Sequence, residues 1–261
     1  MKDHHAIGLF DSGIGGTSIW KEIVQLMPHE HTIYIADSAN APYGHKPKDQ
    51  IIERSVENTE FLLKKGCKIV VVACNTATTN AIDYLRSNYD IPFIGIEPAI
   101  KPAALLSQSG AIGILATKGT LSSHLFEKTA ADHASNVTTI EQEGEGIVAL
   151  IENGKLESEA MTALLEKYLE PMLLHPIDHL VLGCTHYTYL IPHIKKIVGP
   201  EVTIIDSGRA VAKQTHAILQ QHELLTRSKH SGSHTFYSNT DMRPLKLLLG
   251  SHSKNVTFKQ L

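Results

Sequence analysis

The sequence predicts an α/β protein made of two similar doubly wound parallel-sheet lobes, related by pseudo-twofold symmetry, with the active site in the cleft between them. Three observations lead to this architecture. Short apolar runs alternate with segments of helical spacing, two motifs each occur twice in the same order, and polar residues gather just after the apolar runs. The loops at the carboxyl ends of the strands line the ligand crevice of a doubly wound sheet, so the last placement marks a site as well as a fold.

The runs rich in Ile, Val and Leu are Ile7–Phe10, Thr32–Ile35, Ile69–Ala73, Phe93–Ile96, Ala111–Leu115, Val137–Ile140, Leu180–Leu182 and Val202–Ile205. They read as strands buried on both faces. Between them, Thr17–Leu26, Ile51–Lys65, Thr78–Tyr89, Met161–Leu174 and Ala210–Gln220 carry apolar residues at helical spacing. Strand followed by helix, repeated, is the pattern of a parallel sheet with crossover helices.

Set against itself, the chain repeats. Ala6-Ile7-Gly8-Leu9-Phe10 returns as Ala111-Ile112-Gly113-Ile114-Leu115, a shift of 105 residues. Val71-Val72-Ala73-Cys74-Asn75-Thr76 returns as Val181-Leu182-Gly183-Cys184-Thr185-His186, a shift of 110. Two matches in order, a cysteine closing the second in both copies, point to a duplication and to a cleft between equivalent lobes. The 261 residues accommodate two domains of roughly 100–150 residues each. After the polar stretch 227–234 the chain offers one more strand, helix and strand, too little for a domain. It is expected to cross back, giving a first lobe of 1–98 plus 209–261 and a second of 99–208.

A formal net charge of −3, from 24 Lys and Arg against 27 Asp and Glu, supplies no basic field for nucleic acid, so a small-molecule partner is expected. The opening MKDHHAIGLF turns polar again at Asp11, short of the roughly 7–15 apolar residues of a secretory signal or the roughly 20 of a membrane span. A soluble cytoplasmic protein is expected. Three cysteines without a CxxC fit reduced thiols. The 16 histidines contain no HExxH and no compact ligand cluster, and His4-His5 sits at a terminus, so no catalytic metal is expected.

Cys74 and Cys184 each end a strand and precede a helical run, where backbone N–H groups and the helix dipole favour a thiolate. That matters because a free thiol, with a pKa of about 8.5, is mostly protonated at neutral pH. A single strand-end cysteine usually just packs. Two at equivalent positions of similar lobes face one cleft from opposite sides, which is the geometry for removing a proton from one face of a carbon and delivering one to the other. Cys67 has no counterpart in the other lobe and is assigned to packing. Asp11 reads either as a turn or capping residue or as an assistant to proton transfer, and His186 either as a structural histidine or as a proton relay. The turn Gly13-Ile14-Gly15-Gly16 misses a dinucleotide motif at Ser18, and its N–H groups suit a substrate carboxylate. Lys118 has no phosphate cradle to accompany a pyridoxal Schiff base, and Ser12 lacks the G-x-S-x-G elbow. No cofactor is expected.

These residues resemble the signatures of glutamate racemases: Gly8-Leu9-Phe10-Asp11-Ser12-Gly13-Ile14-Gly15-Gly16, Pro42-Tyr43-Gly44, Ala73-Cys74-Asn75-Thr76-Ala77, Ala116-Thr117-Lys118-Gly119-Thr120 and Gly183-Cys184-Thr185-His186-Tyr187. The resemblance spans almost the whole chain. It implies interconversion of L- and D-glutamate without pyridoxal phosphate or metal, supply of D-glutamate for peptidoglycan, and a homodimer. It further implies that Cys74 acts on the D-isomer and Cys184 on the L-isomer, with Asp11, Glu152 and His186 assisting. Asp11, Ser12, Tyr43, Gly44, Asn75, Thr76, Thr117, Thr120, Thr185 and His186 would form the substrate shell. Neutral donors in such a shell hold two carboxylates without overbinding the ground state. The chain departs from the family pattern at Thr188, where proline is usual, and at Glu143-Gly144-Glu145-Gly146 before the Val148-to-Glu152 segment, so Glu152 also reads as an exposed helical carboxylate. A racemase for aspartate or another amino acid would use the same thiols, and a non-catalytic amino-acid-binding regulator would retain the cleft but have no use for both cysteines. On the two-base reading, Cys74→Ala and Cys184→Ala abolish turnover while Cys67→Ala leaves it nearly intact; comparable losses in all three, measured as racemase turnover, would remove the assignment.

Overall fold

The computed structural model describes residues 5–261, so His4 lies outside the described residues. In chain order the elements are β1 Ile7–Asp11, α1 Thr17–Leu26, β2 Thr32–Ala36, α2 Lys48–Lys64, β3 Ile69–Val72, α3 Asn75–Asn88, β4 Phe93–Gly95, α4 Ile100–Leu106, β5 Ala111–Ala116, α5 Lys118–Leu121, α6 His124–His133, β6 Thr138–Glu143, α7 Ile147–Glu152, α8 Glu159–Met172, β7 His179–Gly183, α9 Ile191–Val198, β8 Thr203–Ile205, α10 Gly208–Gln221, β9 His234–Ser238, α11 Arg243–Leu249 and β10 Val256–Gln260. Short 3₁₀ turns at Ser38–Asn40, Tyr43–His45, Thr185–Leu190 and Gly250–Asn255 fill some of the connections.

Every strand pairing is parallel. One sheet runs β10-β9-β2-β1-β3-β4 and the other β6-β5-β7-β8. The order β2-β1-β3-β4 is the order β6-β5-β7-β8 with each strand replaced by its counterpart, so the repeat in the sequence is a repeat of topology. Central strands such as β1 and β3 are buried at every position, as continuous apolar runs in a sheet covered on both faces must be. Cys74 follows β3 and Cys184 follows β7, the same place in the two sheets. Beyond the common plan, β9 adds beside β2 and β10 beside β9. Among the described residues, no helix is long and apolar enough to cross a membrane.

The sequence reading departs from the structure at element ends and at short helices. Helix α3 starts at Asn75, three residues before its first expected position, because Cys74 caps it. Helices α4, α5 and α6 were not anticipated: α4 and α5 have only 7 and 4 residues, less than two turns of periodicity. After Cys184 the chain makes a 3₁₀ turn with Thr188 inside it, and the α-helix begins only at Ile191 with Pro192 in its first turn. Cys67 precedes β3 and packs against β1, where a Cβ on Gly8 would sit 2.9 Å from its sulfur.

Glu30 and Lys68 tie the turn before β2 to the loop before β3. Their side chains are 2% and 3% exposed and meet at 2.6 Å, and Glu30 Oε1 also accepts from the backbone N–H of Thr226 at 2.7 Å. The polar stretch leading to β9 is held there too: Gly232 N–H donates to the Pro28 carbonyl, and a Cβ on Gly232 would collide with the Glu30 backbone. Removing one partner of a buried pair leaves the other charge uncompensated. Lys68→Met should therefore lower unfolding free energy by roughly 3 kcal/mol in urea titration, whereas Lys64→Met, at an exposed pair 3.9 Å apart, should change it by less than about 0.5 kcal/mol.

Candidate active site

The site is built from turns that leave the carboxyl ends of β1, β2, β3, β5 and β7. Asp11 closes β1 with no solvent exposure, and its Oδ2 accepts from the N–H groups of Gly13 (3.2 Å) and Gly16 (3.0 Å). The glycines of this turn serve a close approach: a Cβ on Gly13 would collide with the Glu152 carboxylate and one on Gly15 with the His186 ring. The turn's N–H groups are therefore spent within the protein, with Ile14 N–H donating to Glu152 Oε1 at 2.7 Å, which corrects the expectation that they hold a substrate carboxylate.

Cys74 is the N-cap of α3, and its sulfur accepts from Ala77 N–H at 3.4 Å and lies 3.6 Å from Ser12 Oγ. Helix position alone would favour a thiolate. Burial outweighs it: the Cys74 pKa is pushed well up, first by desolvation and then by the Asp11 carboxylate, with the bonds from Ala77 and Ser12 only partly opposing. Burial and the Asp11 charge thus favour the thiol form of Cys74, against the pull of the helix end. Cys67 is pushed up to about 12 by burial alone, as befits a packing cysteine.

Around Cys184 the setting differs. Its sulfur lies 3.8 Å from His186 Nδ1, and His186 Nε2 meets Glu152 Oε1 at 2.6 Å. Burial pushes the His186 pKa down, but hydrogen bonds to Cys184 and Glu152 and their charges more than reverse this and hold it well above the ordinary histidine range. A protonated ring donates to the carboxylate through Nε2 and presents Nδ1–H to the sulfur. Gly15 N–H approaches the same Nε2 at 3.2 Å.

A crevice of about 10 Å³ is lined by Ser12, Tyr43, Gly44, Cys74, Asn75, Thr76, Thr117, Cys184, Thr185 and His186, with Pro42 and Val148. Both cysteines thus face one small space between the lobes. Three expected residues stand behind the lining: Asp11 beneath Cys74, Glu152 behind His186, and Thr120 behind Thr76 and Thr117; the Thr76 hydroxyl meets those of Thr117 and Thr120 across the lobe boundary at 2.8 and 3.3 Å, and these two lie 3.1 Å apart. Among the described residues, Asp11 Oδ1 and Asn75 Oδ1 are buried acceptors without a partner, suited to an ammonium group. Tyr43 lines the crevice, but its hydroxyl is turned away to Asp37. The space holds about one water molecule, less than a ligand of amino-acid size fills. A cleft of about 1010 Å³ lined by Lys46, Lys118 and Lys128 adjoins it at Gly44 but contains neither cysteine, and volume is here a poor guide to the chemistry.

Sequence reasoning missed Ser38, whose hydroxyl donates to Glu152 Oε2 at 2.8 Å, and Tyr189, whose hydroxyl lies 2.6 Å from Thr17 Oγ1. The only available signal for Ser38 was its place just after a strand. The departure at residues 143–146 does not displace Glu152. Tyr187 and Tyr168 donate to the carbonyls of Gly144 and Glu145, and Gly146 starts α7 at φ 81°, which carries Glu152 to the lobe boundary.

Comparison with known proteins places this geometry. The family described as Asp/Glu/hydantoin racemase matches residues 7–215. A glutamate racemase of Ectopseudomonas mendocina is 44% identical over 253 residues, covering 95% of this chain and 96% of the relative. The crystal structure of a glutamate racemase isoform from Bacillus anthracis superposes with a TM-score of 0.89 at 30% identity, covering 99% of this chain and 98% of that one. The Escherichia coli glutamate racemase, solved in complex with L-glutamate and an activator, superposes with a TM-score of 0.84 at 32% identity and covers 98% of each chain.

Asp11 gives the site a pH signature. Burial, the largest cause, raises its pKa from 3.8 to about 6, so between those values the folded state holds a proton that the unfolded state has lost. Stability from this group is fully present below pH 3.8 and falls as pH rises to about 6, by up to about 3 kcal/mol. Asp11→Asn removes the penalty, so the stability of the variant relative to wild type should rise by that order between about pH 3.5 and pH 7 in denaturant titrations. A difference independent of pH would show that Asp11 ionises normally.

Proposed function

The chain belongs to the Asp/Glu/hydantoin racemase family, and on that footing we propose that it interconverts L- and D-glutamate by a cofactor-independent two-base reaction. The observation that carries this reading is the pair Cys74 and Cys184, each at the end of the equivalent strand of its sheet and both lining one crevice. The relatives named glutamate racemase support the substrate.

One cysteine, as thiolate, takes the proton from Cα on its face while the other, as thiol, delivers its own to the opposite face. The product leaves with inverted configuration and the thiolate and thiol exchanged, so the next turnover in the same direction needs that proton restored. Following the motif correspondence, Cys74 acts on the D-isomer and Cys184 on the L-isomer. The two sulfurs are tuned differently. His186, hydrogen-bonded to Glu152, lies 3.8 Å from the Cys184 sulfur, within reach to exchange a proton with it. Cys74 has Asp11 below it, which favours the thiol. Ser12, Asn75, Thr76, Thr117 and Thr185 offer neutral hydroxyl and amide partners for the two carboxylates and the ammonium group. Removing water from such a small space strengthens each of these contacts.

We further propose, on the family resemblance, that the protein works in the cytoplasm as a homodimer and supplies D-glutamate for peptidoglycan. The test is α-proton exchange followed by NMR in D2O with L-glutamate and, separately, L-aspartate. Deuterium at Cα together with D-glutamate, and untouched aspartate, is the expected result. Exchange confined to aspartate would reassign the substrate, and binding of glutamate without exchange would make the protein a binder.

A further inference from the structure

Asp37 takes no part in the chemistry above, yet four side-chain donors converge on it. It follows β2 and has no solvent exposure. Its Oδ1 accepts from Asn40 Nδ2 at 2.8 Å and Asn239 Nδ2 at 2.6 Å, and its Oδ2 from Tyr43 Oη at 2.5 Å and Arg54 Nε at 3.2 Å. The donors come from the 3₁₀ turn after β2, the crevice wall, helix α2 and the loop between β9 and α11. A buried carboxylate satisfied on both oxygens is a rigid anchor, because losing any donor leaves desolvated charge uncompensated.

What it anchors is the wall of the crevice. The Tyr43 hydroxyl gives its proton to Asp37 and accepts from Asn58 Nδ2 at 3.3 Å, so it has nothing left for a ligand. Tyr43 and Gly44 face the crevice with ring and backbone alone, and where these lie is set from behind. There is little slack in front: a Cβ on Gly44 would stand 3.0 Å from Thr117 of the opposite lobe.

We propose that Asp37 is a positioning residue of the glutamate site, holding the Tyr43–Gly44 wall at the distance that grips the substrate, and that the C-terminal segment shares in this through Asn239. The inference rests on the glutamate reading of the preceding subsection. A wall that touches substrate and transition state alike contributes uniform binding, so loosening it raises KM and spares kcat. A residue that only maintained the fold would lower the active fraction and the melting temperature with KM unchanged.

The experiment compares wild type with Asp37→Asn, Tyr43→Phe, Asn239→Ala and the double variant Asp37→Asn/Tyr43→Phe, reading amide hydrogen exchange over residues 40–46 and steady-state kinetics with L-glutamate. Asp37→Asn is expected to speed exchange in that segment selectively and to raise KM about tenfold with kcat within about twofold of wild type. Tyr43→Phe should do the same, Asn239→Ala should raise KM about threefold, and the double variant should be no worse than Asp37→Asn because both changes cut one link. Unaltered exchange at 40–46 in a folded variant, faster exchange with unchanged KM, or strictly additive losses would each overturn the proposal. Should Asp37→Asn not fold, Tyr43→Phe and Asn239→Ala, which each remove one donor and keep the carboxylate, decide it alone. A wild-type protein that leaves glutamate unchanged is seen before any variant is made and would overturn the reading of function, whereas unaltered exchange at 40–46 speaks against Asp37 whatever the substrate.

Discussion

Glu152 sits on the second lobe and takes hydrogen bonds from the first: Ile14 N–H at 2.7 Å and the Ser38 hydroxyl at 2.8 Å, beside its bond to His186 at 2.6 Å. This one carboxylate raises the proton affinity of the histidine next to Cys184 and, in the same act, fastens the lobes together. The glycines at 13 and 15 exist in that turn because Glu152 and His186 come so close. The small crevice volume and the three threonine hydroxyls bonded across the boundary depend on the same approach of the lobes. Electrostatics and closure are a single event here, since each strengthens as water leaves.

The two half-sites are alike in topology and unlike in chemistry. Equivalent strands deliver equivalent sulfurs, but the first lobe surrounds Cys74 with a hydroxyl, a backbone N–H and a buried acid, while the second gives Cys184 a histidine backed by a carboxylate. Duplication supplies the placement of two thiols; divergence of their neighbours gives each its own surroundings.

Much of this was legible in the sequence. Parallel strands buried on both faces are written as continuous apolar runs, so Ile69–Ala73 and Ala111–Leu115 stood out, and the strand-to-cysteine repeat carried the symmetry. What escaped was of three kinds. Helices of four to seven residues, such as Ile100–Leu106, are too short for periodicity to register. The rise in the Cys74 pKa comes from burial, which local sequence does not encode, and the helix-end argument taken alone pointed the other way. Ser38, Asp37 and Asn239 act through partners 114 or 202 residues distant, and a polar residue after a strand carries no sign of which distant group it will meet. The resemblance to glutamate racemases brought forward Glu152, which spacing alone would not have selected; the structure sets it just behind the lining.

The placement of β9 and β10 also has a meaning in time. The second sheet is drawn from one unbroken stretch, Ala111 to Ile205, whereas the first is completed only by strands ending at Gln260. A chain emerging from the ribosome amino end first can therefore close its second sheet while the older one still has its β2 edge bare, and Asp37, made early, waits for Asn239. The lobe that begins first finishes last, and no truncated product of translation holds both a complete sheet around Cys74 and a partner lobe.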